Sequence, residues 1–174
     1  MHTVIIFDSD YGDTREIAEA IATDLRTAGP VDIAKVRTRA AASLPPDVDL
    51  LIVGSPTHMH HLSTPVRGYL EQLPAKSLAG VEAAAFDTRA RGWKLFTGAA
   101  SGGIARQLQK HGAHLVVRPE SFQVVRKEGP LVDGEVLHAH TWAQHILAAM
   151  PEVRPTSRLS AQVAVGRTST DSLR

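Results

Sequence analysis

The chain has 174 residues, of which 43% are hydrophobic and 21% charged, with a formal net charge of +1. This is the composition of an ordinary globular domain. Because it contains no cysteine, disulfides, iron–sulfur clusters and thiol nucleophiles are excluded. No apolar run approaches the roughly 20 residues of a membrane span. The sequence also lacks the cluster of basic residues that is typical of a nucleic-acid-binding protein. The first residues do not resemble a signal peptide, so we expect a cytoplasmic protein that has no membrane span and no nucleic-acid partner.

Short apolar runs alternate with helical patterns along the first 150 residues. Residues 4–7 form a continuous β-favouring run, typical of a strand buried on both faces. The next segment changes period, because Ile17, Ile21 and Leu25 recur every four residues, and Gly29-Pro30 is expected to end this helix. Further strands are predicted at 31–36, 49–54, 81–86 and 114–117, the last resuming at 122–125. Further helices are predicted at 64–73, 104–112 and 136–150.

Strands that alternate with helices predict βαβ units and a mostly parallel sheet that is covered on both faces. Thr64-Pro65 is typical of a helix start with Thr64 as the cap, and Trp142 is expected to pack in the core. Residues 38–47 leave room for only a short helix. Residues 151–174 are rich in Ser, Thr and Arg, so we predict a flexible tail after a domain of residues 1–150.

In an open parallel sheet, ligands bind beyond the carboxyl ends of the strands. Three predicted turns, 8–14, 54–63 and 87–97, are therefore expected to lie together. The first combines hydroxyls, a glycine and a helix start, which suits a phosphate because free N–H groups and the helix dipole attract anions. The alternative for this turn is ordinary helix capping, in which Asp13 and Glu16 form a capping box.

The first turn resembles the N-terminal signature of the flavodoxin family. The matching pattern is Ile5-Ile6-Phe7-x-Ser9-x-x-Gly12-x-Thr14-x-x-x-Ala18-x-x-Ile21. The resemblance continues in residues 53–57, 85–89 and 119–122, and it covers about residues 3–150. It implies an α/β, flavodoxin-like, doubly wound, five-stranded parallel sheet with strand order 2-1-3-4-5 and helices on both faces.

The same resemblance implies a bound FMN. Ser9, Gly12 and Thr14 would belong to the loop that holds its phosphate, and the turns after the third and fourth strands would flank its ring. The implied cofactor-binding residues are Ser9, Asp10, Tyr11, Gly12, Asp13, Thr14, Ser55, Pro56, Thr57, His58, Met59, His60, Asp87, Thr88, Arg89 and Trp93.

The predicted phosphate loop is acidic, which departs from the family pattern. Asp8, Asp10 and Asp13 would repel a phosphate unless they point outward. Backbone N–H groups can still bind the anion, and Arg15 is a candidate for compensating the negative charge.

The two turns beside the flavin also depart from the pattern. Met59 and His60 stand where the resemblance leads us to expect an aromatic residue and a glycine, and neither favours a positive φ. The turn after the fourth strand is basic, with Arg89 and Arg91, where typical flavodoxins are acidic. A positive charge at this place favours reduced, negatively charged flavin.

A histidine cluster follows the third strand. In an extended loop, His58 and His60 face the same side, and His61 faces the opposite side. Three imidazoles could ligate zinc or copper, but the loop holds no carboxylate to complete a site, so we predict no metal. Their near-neutral pKa would suit proton delivery to reduced flavin.

We expect an FMN-binding electron-transfer protein, a monomer or homodimer, that acts with a redox partner protein or a quinone-like acceptor. One alternative is a small FMN-dependent reductase or oxidase. Residues 12–18 also resemble the quinone-dependent protoporphyrinogen oxidases, although the connection after the fourth strand is short for that group. Another alternative is a flavin-free interaction module. A receiver-type signalling domain shares the topology, but Gly54 stands where its phosphoacceptor aspartate belongs.

Overall fold

A computed structural model describes residues 1–37, 44–58, 61–90 and 100–151. The predicted helix within 38–47 and the predicted tail fall largely outside these residues, as do Met59, His60, Arg91 and Trp93. The strands are β1 (Thr3–Phe7), β2 (Val31–Lys35), β3 (Leu50–His58), β4 (His61–Leu62), β5 (Glu82–Ala90), β6 (His114–Leu115) and β7 (Glu120–Val124). The helices are α1 (Asp13–Leu25), α2 (Thr64–Gln72), α3 (Ala100–Lys110) and α4 (Glu135–Ala149), and a 3-10 helix (Arg26–Ala28) follows α1.

The strands form one sheet in the order β2-β1-β3-β5-β6, and β7 pairs with β5 further along. Both β6 and β7 are parallel to β5, so they are two segments of the predicted fifth strand. The predicted order 2-1-3-4-5 is therefore confirmed. The small strand β4 runs antiparallel to β3 and forms a hairpin that the sequence did not indicate.

The two faces of the sheet carry separate cores, because side chains alternate along each strand. On β1, Val4 and Ile6 belong to the core that α2 and α3 cover. Ile5 and Phe7 belong to the core that α1 and α4 cover. Trp142 of α4 lies in this second core, which confirms the prediction for it. Within the described parts of the chain, no helix is both long and apolar enough to cross a membrane.

Two predicted helix caps are wrong in detail. Helix α1 begins after Gly12, which has a φ of 108° and offers no side chain for capping. Asp13 is therefore the first helical residue, and its capping box with Glu16 does not form. Helix α2 is capped by the Ser63 hydroxyl, which accepts a backbone N–H of the first turn at 3.4 Å, so Thr64 lies inside the helix. In both cases the residue one position earlier has the non-helical backbone that a cap requires.

Gly54 brings β3 and β5 together at the level where the apolar core ends. The register places it between Phe7 and Phe86. A Cβ at Gly54 would lie 2.2 Å from the Phe86 ring, and Phe86 is fully buried between Phe122 and Trp142. The ring has no room to retreat, so only glycine fits here.

We predict that Gly54→Ala lowers the free energy of unfolding by about 1–3 kcal/mol, as an added methyl group does in a filled core. Gly68→Ala is the matched control. A Cβ at Gly68 in α2 meets nothing within 4 Å, so this change is expected to stabilise the protein by up to about 1 kcal/mol. Urea unfolding measures both values. Similar effects in the two variants would contradict the packing argument.

Candidate functional site

The strands β3 and β5 continue past the apolar core into polar residues. Their register pairs Ser55 with Asp87, and β7 pairs with the other edge of β5 as far as Ala90. Backbone hydrogen bonds on both sides therefore keep this polar stretch in the sheet. The prediction of turns here is wrong, because these site residues lie in strands: Ser55, Pro56, Thr57, His58, Asp87, Thr88 and Arg89.

Asp87 joins three elements beneath this edge. It is fully buried, and its Oδ2 accepts hydrogen bonds from the Thr57 hydroxyl at 2.9 Å and from the Ser101 backbone N–H at 3.1 Å. Its Oδ1 is buried without a hydrogen-bond partner among the described residues. Asp87 thus ties β3 and β5 to the start of α3 and supports the site from below.

Ser55 has a similar supporting position. It is fully buried. Its hydroxyl accepts a hydrogen bond from the Ser63 backbone N–H at 2.9 Å and donates one to the Pro56 carbonyl at 2.8 Å. These bonds connect the end of β3 to the start of α2. Ser55 therefore shapes the edge without facing solvent.

A buried hydrogen bond links α1 to β5. The hydroxyl oxygens of Thr14 and Thr88 are 2.8 Å apart, and either can donate. The two residues are 74 positions apart in the chain, and both belong to the predicted cofactor set. The bond holds the first turn of α1 against the end of the fourth parallel strand.

In the loop before α1, Ser9 forms a hydrogen bond within the loop, and the backbone is accessible at Gly12. The Gly12 N–H donates to the Ser9 hydroxyl at 3.1 Å. Nothing lies within 4 Å of the place where a Cβ of Gly12 would stand. The backbone therefore faces open space at the point where the first turn of α1 leaves its N–H groups without helical partners. This arrangement fits a phosphate group.

The acidic residues of the loop have three different environments. Asp8 is only 1% exposed, and neither of its carboxylate oxygens has a hydrogen-bond partner among the described residues. The Asp13 carboxylate packs against Gly129, where an added Cβ would lie 2.7 Å from it. Asp10 is exposed. Of the three, only Asp10 is directed to solvent, so the expectation of outward-pointing carboxylates is met in part.

Arg15, the candidate for compensating this loop, lines a groove together with Ser9 and Gly12. Its Nε lies 2.7 Å from Glu19 Oε1, one helical turn along, and both side chains are mostly exposed. Such an exposed ion pair is weak, so the compensating role of Arg15 stays a prediction.

These segments enclose a cleft at the carboxyl edge of the sheet, with a cavity volume of about 70 Å³. This volume is smaller than that of a typical small-molecule site, and residues 91–99, which follow β5 at this edge, lie outside the described residues. The cleft is lined by Ser9, Asp10, Tyr11, Asp13, Thr14, Pro56, Thr57, Thr88, Arg89, Ala90, Val124 and Lys127. Tyr11 is 55% exposed, so its ring stands at the mouth.

Sequence reasoning missed two lysines at this edge. Lys127, just after β7, lines the cleft. Lys35 ends β2, and its Nζ donates to the Ser9 carbonyl at 2.6 Å. Both lysines lie at or just after the carboxyl ends of parallel strands. Because all these ends reach the same edge of the sheet, this position in the sequence could have predicted that the lysines lie near the site.

The histidine cluster is described only in part, because His60 lies outside the described residues. His58 ends β3 and His61 begins β4, and their backbones pair as antiparallel neighbours. These two histidines therefore do not lie on one extended loop, as the sequence predicted.

A family model described as the flavodoxin domain matches residues 4–91, just over half of the chain. The chain belongs to the flavodoxin domain family. Flavodoxins are FMN-binding electron carriers that act with redox partners, so this is a flavodoxin-like protein of the electron-transfer class. No curated protein sequence matches the chain significantly.

Solved structures show the same fold. Oxidised flavodoxin 1 from Bacillus cereus is 21% identical, with a TM-score of 0.71, over 85% of this chain and 98% of that one. Flavodoxin 2 from Bacillus cereus is 23% identical, with a TM-score of 0.72, over 85% and 99%. Rubredoxin oxygen:oxidoreductase from Desulfovibrio gigas is 24% identical, with a TM-score of 0.70, over 86% of this chain but only 36% of that one. The fold thus occurs both as a whole small protein and as part of a larger oxidoreductase.

We predict that Asp87→Ala lowers the free energy of unfolding by about 2–3 kcal/mol, because two donors lose their buried acceptor. Asp87→Asn keeps an acceptor oxygen and removes an incompletely paired buried charge, so its loss is expected to be clearly smaller. Urea unfolding of both variants measures the difference. Equal losses would show that the negative charge itself, rather than the acceptor, supports this edge.

Proposed function

We propose that the chain binds one FMN in the cleft at the carboxyl edge of the sheet and uses it to exchange electrons with a redox partner. The observation that carries this proposal is the coincidence of the family match with the cleft. The matched residues, 4–91, contain every lining residue except Val124 and Lys127. When bound, FMN supplies the redox chemistry, and the protein supplies binding and electrostatics.

The phosphate would lie at the start of α1. The loop offers open backbone at Gly12, and the helix offers unpaired N–H groups and the positive end of its dipole. Thr14 stands in the first turn, and its hydroxyl is held by Thr88. The flavin ring would then lie between the ends of β3 and β5, beside Thr57 and Arg89.

A two-electron role, as a small reductase or oxidase, is the second candidate, and Arg89 favours it. Arg89 lines the cleft and is half-buried. A guanidinium here stabilises negative charge on reduced flavin, since Coulomb attraction is strong where water is partly excluded. This charge would raise the flavin potential above that of a low-potential carrier. The acceptor would then be a quinone-like compound or a redox protein.

We predict that the purified protein is yellow, with absorption at about 450 nm. We also predict that Thr14→Val weakens FMN binding by about 1–3 kcal/mol. Thr88→Val is the matched control, because it removes the same Thr14–Thr88 hydrogen bond from the other side. It is expected to weaken binding less, since Thr88 does not belong to the phosphate loop. Fluorescence titration with FMN measures both. A flavin-free module would show neither colour nor fluorescence quenching at saturating FMN.

We predict that Arg89→Ala lowers the two-electron midpoint potential of the bound flavin by about 30 mV or more, which corresponds to roughly 1.4 kcal/mol. Lys110→Ala removes the same charge at the far end of α3 and is expected to leave the potential unchanged. Anaerobic titration with redox dyes gives both values. Equal potentials in wild type and Arg89→Ala would remove the support for the two-electron role.

A further inference from the structure

Lys35 reaches the phosphate loop from the edge of the sheet. The register pairs Lys35 with Phe7, so the lysine ends β2 directly beside the point where β1 enters the loop. Its Nζ donates to the Ser9 carbonyl at 2.6 Å, and this contact is partly buried. Lys35, Ser9 and Gly12 together line a groove between α1 and β2. An ammonium group thus contacts the loop backbone from β2, and Lys35 does not line the flavin cleft.

This contact fixes the direction of one peptide group. In a trans peptide, the carbonyl and the following N–H point in opposite directions. Because the Ser9 carbonyl is directed to Lys35, the Asp10 N–H is directed away from it. Asp10 lines the flavin cleft, which Lys35 does not. The lysine therefore fixes the orientation of the Ser9–Asp10 peptide, with the Ser9 carbonyl oxygen on the Lys35 side of the loop.

The charge of Lys35 also matters at this loop. Three aspartates lie between positions 8 and 13, and a flavin phosphate adds further negative charge. Arg15 lines the same groove, but its side chain is mostly exposed and paired with Glu19, so water screens its effect on the loop. A cation that touches the loop backbone reduces this repulsion, and it does so more strongly than a solvated surface charge because the contact is partly shielded from water.

We propose that Lys35 is a positioning residue for the phosphate, through which this chain distinguishes FMN from unphosphorylated riboflavin. The inference rests on the proposed function. Lys35 acts through the orientation of the Ser9–Asp10 peptide and through its charge, and it need not touch the ligand. The discrimination thus depends on a residue of β2, outside the loop that forms the phosphate site.

The test is a titration of the full-length, flavin-free chain with FMN and, separately, with riboflavin. Lys35→Met is expected to raise the dissociation constant for FMN at least about tenfold, as the loss of a charge-assisted contact does. Its riboflavin constant is expected to stay within about twofold of wild type. Lys35→Arg is expected to restore most of the FMN affinity. The FMN affinity of wild type is also expected to fall more steeply with added salt than that of Lys35→Met.

Lys110→Met is the control for net charge, because Lys110 is exposed at the far end of α3. Equal weakening of FMN and riboflavin by Lys35→Met would overturn the proposal, since it would show a general structural role. An unchanged FMN affinity in Lys35→Met would also overturn it while leaving FMN binding itself intact. If wild type bound neither flavin, the proposed function would fail as well, so the two failures are distinguishable.

Discussion

Three parallel strands remain paired beyond the end of the apolar core, and the position of every wall of the cleft depends on this pairing. Gly54 is the residue that permits it, because its missing side chain lets the Phe86 ring lie against β3. One residue further along, Ser55 pairs with Asp87, and their side chains hold the neighbouring segments. A larger residue at position 54 would separate the strands at the level where the polar site begins.

Beyond Gly54, toward the carboxyl ends of the strands, hydrogen bonds rather than apolar packing hold the segments together. Asp87 binds Thr57 and Ser101, and Thr14 binds Thr88. Each of these bonds is buried or partly buried and joins segments that are distant in the chain. A buried polar group that lost its partner would cost more than the bond contributes, so the network specifies one arrangement of the edge.

The electrostatics of the loop follow from the neighbouring strands rather than from the loop itself. The loop contributes Asp8, Asp10 and Asp13, whereas the cations beside it come from β2 and from the segment after β7. Arg89 adds a positive charge to the lining of the cleft. A site assembled in this way can bind an anion despite an acidic loop, because neighbours in space, not in sequence, set the local potential.

The sequence by itself determined the α/β class, because apolar runs and four-residue spacing reflect burial of single elements. The strand order was what the family resemblance of the contiguous signature around Ser9, Gly12 and Thr14 implied, and the fold confirms it. The caps of α1 and α2 shifted by one residue, because backbone geometry at Gly12 and Ser63 outweighed the side-chain pattern. Only the tertiary structure decided that Asp87 is a buried support and that Lys35 contacts the loop. Each of these outcomes depends on the distance between atoms of different elements, which the order of the residues does not give.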